Sequence, residues 1–277
     1  IPISEAQLLT QLFEAIFFGL YTVSLGFCLQ ALLRAPNGWK KTSEISKTML
    51  VVTLLMGFFA TFDLCLTFIE NINALALYHG PGGSAEAFQQ TASWIDLMGN
   101  INVISQTKLG DGMLIYRCWI VHGKSWSVVA PSSALLTAGF VVSALKIYLK
   151  ATLPYGSQFS PGYYRLVTTG WALTICINVL TTGLIVYRIW NANIRNRAIE
   201  SFSNTTTSKP GKTAYQNAIR IIIDSGFLYT SVAVMSAAAY ISRSNAFTPL
   251  SAIDIQVIGI TFNLILIRVN KVRRLEN

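Results

Sequence analysis

The chain has 277 residues, of which 52% are hydrophobic and 12% charged, about half the charged share of an ordinary soluble domain. So few charges cannot cover a solvated surface, which excludes a soluble globular protein and leaves a polytopic membrane protein. The net charge of +9 does not point to nucleic acid, because the basic residues sit in short segments beside apolar runs, where they set orientation in a bilayer.

A spanning helix needs about 20 mostly apolar residues. Seven segments meet that length in chain order: about 12–34, 47–70, 94–120, 127–149, 163–190, 217–243 and 247–268. The expected fold is therefore an all-α membrane protein, a single seven-transmembrane helix bundle over 1–277. No signal-peptide pattern precedes the first run, and Ile1 in place of methionine is consistent with residues removed upstream. The segments "RAPNGWKK", "HGPGGS" and "LPYGSQFSPG" carry turn signals between spans. Cys28, Cys65, Cys118 and Cys176 all fall inside spans and predict no disulfide framework.

Counting Lys and Arg sets the orientation. Lys146, Lys150, Arg165 and Arg243 fall on one side and, apart from Lys108, all the others on the opposite side. The positive-inside rule then puts the N-terminus outside and the C-terminus in the cytoplasm, in the plasma membrane or another secretory-pathway membrane. The sequon Asn204-Thr205-Thr206 lies in the longest loop, on the cytoplasmic side, and is predicted to carry no glycan. That loop, "NIRNRAIESFSNTTTSKPGKTAYQN", is polar and rich in Ser and Thr; it reads as a solvated connector, or as a docking segment for a cytoplasmic partner.

The third span is the unusual one. On a helical wheel Asn100, Lys108 and Asp111 share one side, while Gly99, Asn102, Gln106 and Gly110 lie towards the other, so no wide apolar stripe faces lipid. Such a helix fits a bilayer only if protein or water surrounds it, which makes it the central helix. At about 1.5 Å per residue, Lys108 lies about 13 Å from Arg117 along the axis. Similar counting puts Asp224, Asn178 and Asn263 in the same polar layer, with Asp63, Asn102 and Asp254 in a second layer nearer the outer face. The network either neutralises itself and fixes helix packing, or exchanges protons, ions or a small-molecule ligand.

Arg117, at the cytoplasmic end of the third span, reads either as a switch held against the sixth helix or as a side chain snorkelling to lipid phosphates. Ala233 and Ala237 give the sixth span a small-residue face for a close helix contact or for homo-oligomerisation. Trp39, Trp126, Tyr148, Tyr163, Tyr164 and Trp190 lie near span ends and read as an interfacial aromatic belt. Catalytic chemistry is not indicated. The only histidines, His79 and His122, fall on opposite sides of the membrane, so no metal set converges. No phosphate-binding loop, Cys-x-x-Cys or Ser nucleophile elbow occurs, and no lysine stands in the seventh span to hold retinal. No cofactor is expected; membrane lipids are the expected surroundings.

"LGDGMLIYRCWIVHG" in the third span, "TTGLIVYRIW" in the fifth, "DSGFLY" in the sixth and "GITFNLILIRV" in the seventh together resemble a family of seven-transmembrane proteins from mushroom-forming (basidiomycete) fungi. The resemblance covers nearly the whole chain. It implies a fungal origin and the same N-outside plan, and it carries over no catalytic or ligand residue. A looser similarity, to G-protein-coupled receptors, rests on helix number, orientation and the position of Arg117. It departs at Tyr116, where those receptors carry an acid, at Leu264, where they carry proline, and in lacking the cysteine pair of the outer face. Three functions follow as expectations: a receptor-like sensor, a small-solute or proton transporter, or a structural protein forming homo-oligomeric arrays.

Overall fold

The computed structural model describes residues 3–35, 38–40, 46–74, 93–152, 160–202 and 211–276. Among them run seven long helices: α1 (Ile3–Leu33), α2 (Lys47–Ile72), α3 (Ser93–Val121), α4 (Trp126–Thr152), α5 (Pro161–Phe202), α6 (Gly211–Ile241) and α7 (Phe247–Glu276). Five of them, α1, α2, α4, α5 and α7, are long and apolar enough to cross a membrane. The other two carry more polar side chains: α3 the Asn, Gln, Lys and Asp residues of the network, and α6 Asp224 with several Ser and Thr.

Helix is the form that lets an apolar segment satisfy its own backbone in lipid. Hydroxyls inside the helices are satisfied the same way, one turn back. Thr22 donates to the Phe18 carbonyl at 2.9 Å and Thr61 to that of Gly57 at 2.8 Å, so they can face outwards without an unpaired polar group. The outward surfaces carry Leu12, Leu20, Phe27, Phe58, Phe140 and Phe227, all exposed. A soluble monomer does not expose apolar area on that scale. Together these features suggest an integral membrane protein in contact with lipid.

Successive helices pack side by side and α7 closes against α1; α3 also touches α5 and α7. Consecutive residues 254–259 of α7 are all buried, so that helix, like α3, is enclosed on every side. Small residues permit the crossings. A Cβ on Gly110 of α3 would lie 2.8 Å from Ile258 of α7, and one on Gly226 of α6 would lie 3.0 Å from Thr182 of α5. Ala233 is fully buried within the bundle and Ala237 partly buried, and a close approach of α6 to α5 falls at Gly226, two turns away.

One turn segment carries a short ladder, and one loop boundary needs correcting. The segment "RAPNGWKK" includes a two-residue antiparallel ladder, β1 (Arg34–Ala35) with β2 (Gly38–Trp39). Gly38 has φ 126° there, a conformation that needs glycine, and the Arg34 guanidinium lies 5.7 Å from the Trp39 ring centroid. The loop expected after residue 190 is shorter than its polarity suggested. Helix α5 continues to Phe202 and α6 begins at Gly211, because "NANIRNRAIESF" is free of Gly and Pro and contains good helix formers such as Ala, Arg and Glu. The sequon at 204–206 and the "HGPGGS" segment, with His79, lie outside the described residues.

Candidate functional site

Halfway along α3, Lys108 is 8% exposed and Asp111 is fully buried. Their spacing, i and i+3, puts both on one face, and the ammonium stands 3.6 Å from Asp111 Oδ2. Two neutral donors from other helices also reach this carboxylate. Thr174 of α5 donates its hydroxyl to Oδ2 and Tyr229 of α6 donates to Oδ1, each at 3.3 Å. Asp111 thus gathers α3, α5 and α6 at one point. Asn178 and Asp254 lie beside Tyr229, so Asp254 joins this layer, not the one expected with Asp63. Lys108 reaches towards α4, where a Cβ on Gly139 would stand 2.7 Å from its nitrogen; a glycine leaves the ammonium room.

A second cluster joins α1, α2 and α3. The Asn102 amide donates to Asp63 Oδ1 at 2.9 Å and to the Phe59 carbonyl at 3.0 Å. Glu14 of α1, fully buried, lies beside Asp63 and Thr67. Asn263 belongs to neither cluster: its amide donates to the Ser24 hydroxyl at 3.0 Å, tying α7 to α1. Asn100 donates to the Asp96 carbonyl at 2.8 Å, within its own helix.

Asp224 is exposed on α6 and stands apart from the network. The axial count measured its height alone; the inward face of α6 is set by Ser225, Tyr229, Ala233 and Ser236, all buried, which turns position 224 outwards. Asp224→Asn is therefore expected to leave thermal stability within about 0.5 kcal/mol of wild type. A drop of several kelvin in the unfolding midpoint would mean that its carboxylate has an interior partner.

Arg117 is 8% exposed, and its guanidinium lies 4.9 Å over the Phe262 ring of α7, so it packs inside the bundle and does not snorkel to lipid phosphates. Two of its nitrogens find no hydrogen-bond acceptor among the described residues, and the cation is held by the aromatic face.

Between Lys108 and the end of the bundle carrying Lys150 and Arg243 is a cavity of about 420 Å³, lined by residues of all seven helices. That volume lies within the range of small-molecule sites, roughly 300–1,000 Å³. Asp63, Asn100 and Lys108 reach its wall; Asn102, Asp111, Asn178, Asp224 and Asn263 do not line it. Lys150 of α4 pairs with Asp96 of α3 at 2.7 Å, and Glu70 of α2 lies near both. On the α5–α6–α7 side the wall is aromatic. Tyr240 and Phe247 pack at 5.0 Å between centroids and Trp171 meets Phe247 at 6.5 Å.

Several of these residues escaped the sequence reading. Tyr163 is buried in the cavity wall and Tyr164 stacks on Tyr240 at 5.5 Å, so both pack within the bundle. Trp39, Trp126, Tyr148 and Trp190 are exposed. Lys146 and Lys150 were counted as orientation charges near a span end, yet both line the cavity. The signal that could have found them is the stripe Gly139, Val142, Ser143, Lys146, Lys150, a helical spacing that puts all five on one face of α4. Below the cavity two apolar clusters pack against α3, with Arg117 buried beside Phe262. Cys28, Met56, Met113, Ile258 and Phe262 pack on one side, and Ile115, Val129, Ile177 and Ile185 on the other. No protein-family model matches the chain, and no curated protein matches it.

Proposed function

We propose that the chain is a seven-span membrane sensor, N-terminus outside, that takes a small ligand into the cavity and transmits its presence through Lys108 and Asp111 towards Arg117. The observation that carries this reading is the cavity's floor. Lys108 lies in the cavity wall and is paired with Asp111, and Asp111 holds hydroxyls from α5 and α6. A ligand that draws the ammonium away changes what holds three helices together. A ligand shifts a conformational equilibrium only through such a difference in contacts between the two states. The apolar packing beyond Asp111 favours a closed floor over a conduction path. The resemblance to basidiomycete seven-span proteins supports the same architecture and a fungal source.

Transport is the second reading, favoured by Asp254 lying close to Asp111; buried acids in series are what a proton path uses. The two are separated by thiol accessibility in a variant whose four cysteines have been replaced. With Thr107→Cys on the cavity wall, a membrane-impermeant maleimide should label intact cells from outside and leave inside-out vesicles unlabelled. Labelling from both faces overturns the sensor reading in favour of transport. Labelling from the cytoplasmic face alone inverts the orientation, and labelling from neither leaves a packing role, as in a homo-oligomeric array.

A further inference from the structure

The cavity is chemically two-sided. Its α3–α4 wall gathers three ammonium groups, Lys108, Lys146 and Lys150. Lys108 and Lys150 are spoken for, by Asp111 and Asp96 respectively. Lys146 belongs to neither of the two ion pairs found among the described residues; the charged groups around it are Lys150, Lys108 and Asp96, and that aspartate is already held by Lys150. A partly buried ammonium flanked by two others is stabilised most by an added anion. The α5–α6–α7 wall offers Trp171, Tyr240 and Phe247, surface suited to a flat apolar body.

We infer that the cavity binds an organic carboxylate carrying an apolar body, its carboxylate held by Lys146 and Lys108 and its body against the aromatic wall. This rests on the cavity being a ligand site, and it names the ligand's class. Lys146 provides the anchoring charge and Lys108 the link to Asp111: a carboxylate arriving at Lys108 competes with Asp111 for the same ammonium. Two sources supply this chemistry, a water-soluble aromatic acid and a fatty acid from the bilayer.

The test uses the full chain in lipid nanodiscs with four probes: 1-naphthaleneacetate, its neutral amide, 1-naphthylmethylamine and dodecanoate. A carboxylate at about a hundredfold excess over its Kd is expected to raise the unfolding midpoint by about 5 °C, and the amide and the amine are expected to leave it unchanged. A response to naphthaleneacetate identifies the soluble source, and a response to dodecanoate alone the membrane source. Lys146→Met should weaken carboxylate binding at least tenfold. Lys146→Arg should retain it, and Arg165→Met, on the exposed face of α5, should behave as wild type.

An equal response to the amide, or an undiminished response in Lys146→Met, overturns the anion assignment while leaving the cavity as a ligand site. So does a response to the amine alone, which would make Glu70 the anchor. If no probe shifts the midpoint and Thr107→Cys is unlabelled from either face, the ligand-site reading itself fails.

Discussion

Lys108→Met is expected to destabilise the protein by about 3 kcal/mol, because it leaves the carboxylate of Asp111 buried with two hydroxyl donors and no cation. Removing one partner of a buried ion pair costs about 3–5 kcal/mol, since the desolvated charge that remains is uncompensated. Thr174 and Tyr229 still donate to Asp111, each at 3.3 Å, which puts the effect at the lower end. The contact between the charges is 3.6 Å long, so the attraction lost is smaller than the isolation imposed on Asp111. The double variant Lys108→Met with Asp111→Asn should therefore recover most of the loss, because the amide needs no counter-charge and its oxygen still accepts from a hydroxyl. Unfolding midpoints of the two single variants and the double variant, measured in one detergent, complete the cycle. If Lys108→Met matches wild type, the pair contributes nothing to folding and its role lies wholly in ligand response.

The second large effect is expected where α1 and α7 touch. A Cβ on Gly259 would run into the Tyr21 ring, and Tyr21 is 1% exposed, so the ring has no space to turn into. Gly259→Ala should cost about 2–3 kcal/mol, the upper part of the range for overpacking a core. The obstruction is a rigid ring and not the tip of a flexible chain, so relief requires α1 to shift as a whole. Adding Tyr21→Leu, which removes the ring from the contact, should restore more than half of the lost stability. If Gly259→Ala unfolds at the wild-type midpoint, the α1–α7 crossing is looser than this geometry. If the added Tyr21→Leu gives no rescue, the strain lies elsewhere on α7.

The helices were legible because length and hydropathy fix a long apolar helix with little help from tertiary context; the expected span at 47–70 compares with an observed Lys47–Ile72. The interior position of α3 was legible too, since its polar residues leave no face for lipid. What could not be read was azimuth. Axial counting puts Asp224 and Asp111 in one layer, and only packing decides that α6 presents Tyr229 inward and Asp224 outward. The cavity was hidden for a related reason. Its lining comes from the ends of many segments, where Lys146, Asp96 and Glu70 look like ordinary boundary charges. Glu14 lies in a stretch whose other residues are mostly apolar, and it gains meaning only when α2 brings Asp63 beside it.

The enclosure of α7 has a consequence for biogenesis. This helix follows the other six described helices in the chain, yet its hydrogen bonds reach across the molecule: Asn263 donates to Ser24, Gln256 donates to the Ala60 carbonyl, and Gln106 of α3 donates to the Ile255 carbonyl. Domains generally form from the N-terminus onward during synthesis, but here the groups awaiting α7 lie on helices that precede it in the chain. Until α7 has been made, Ser24 and the carbonyl of Ala60 lack their final partners. The closing step thus waits for α7 and depends on contacts distant in sequence, the kind that form slowly. A fragment that stops short of α7 lacks the contacts that close the bundle.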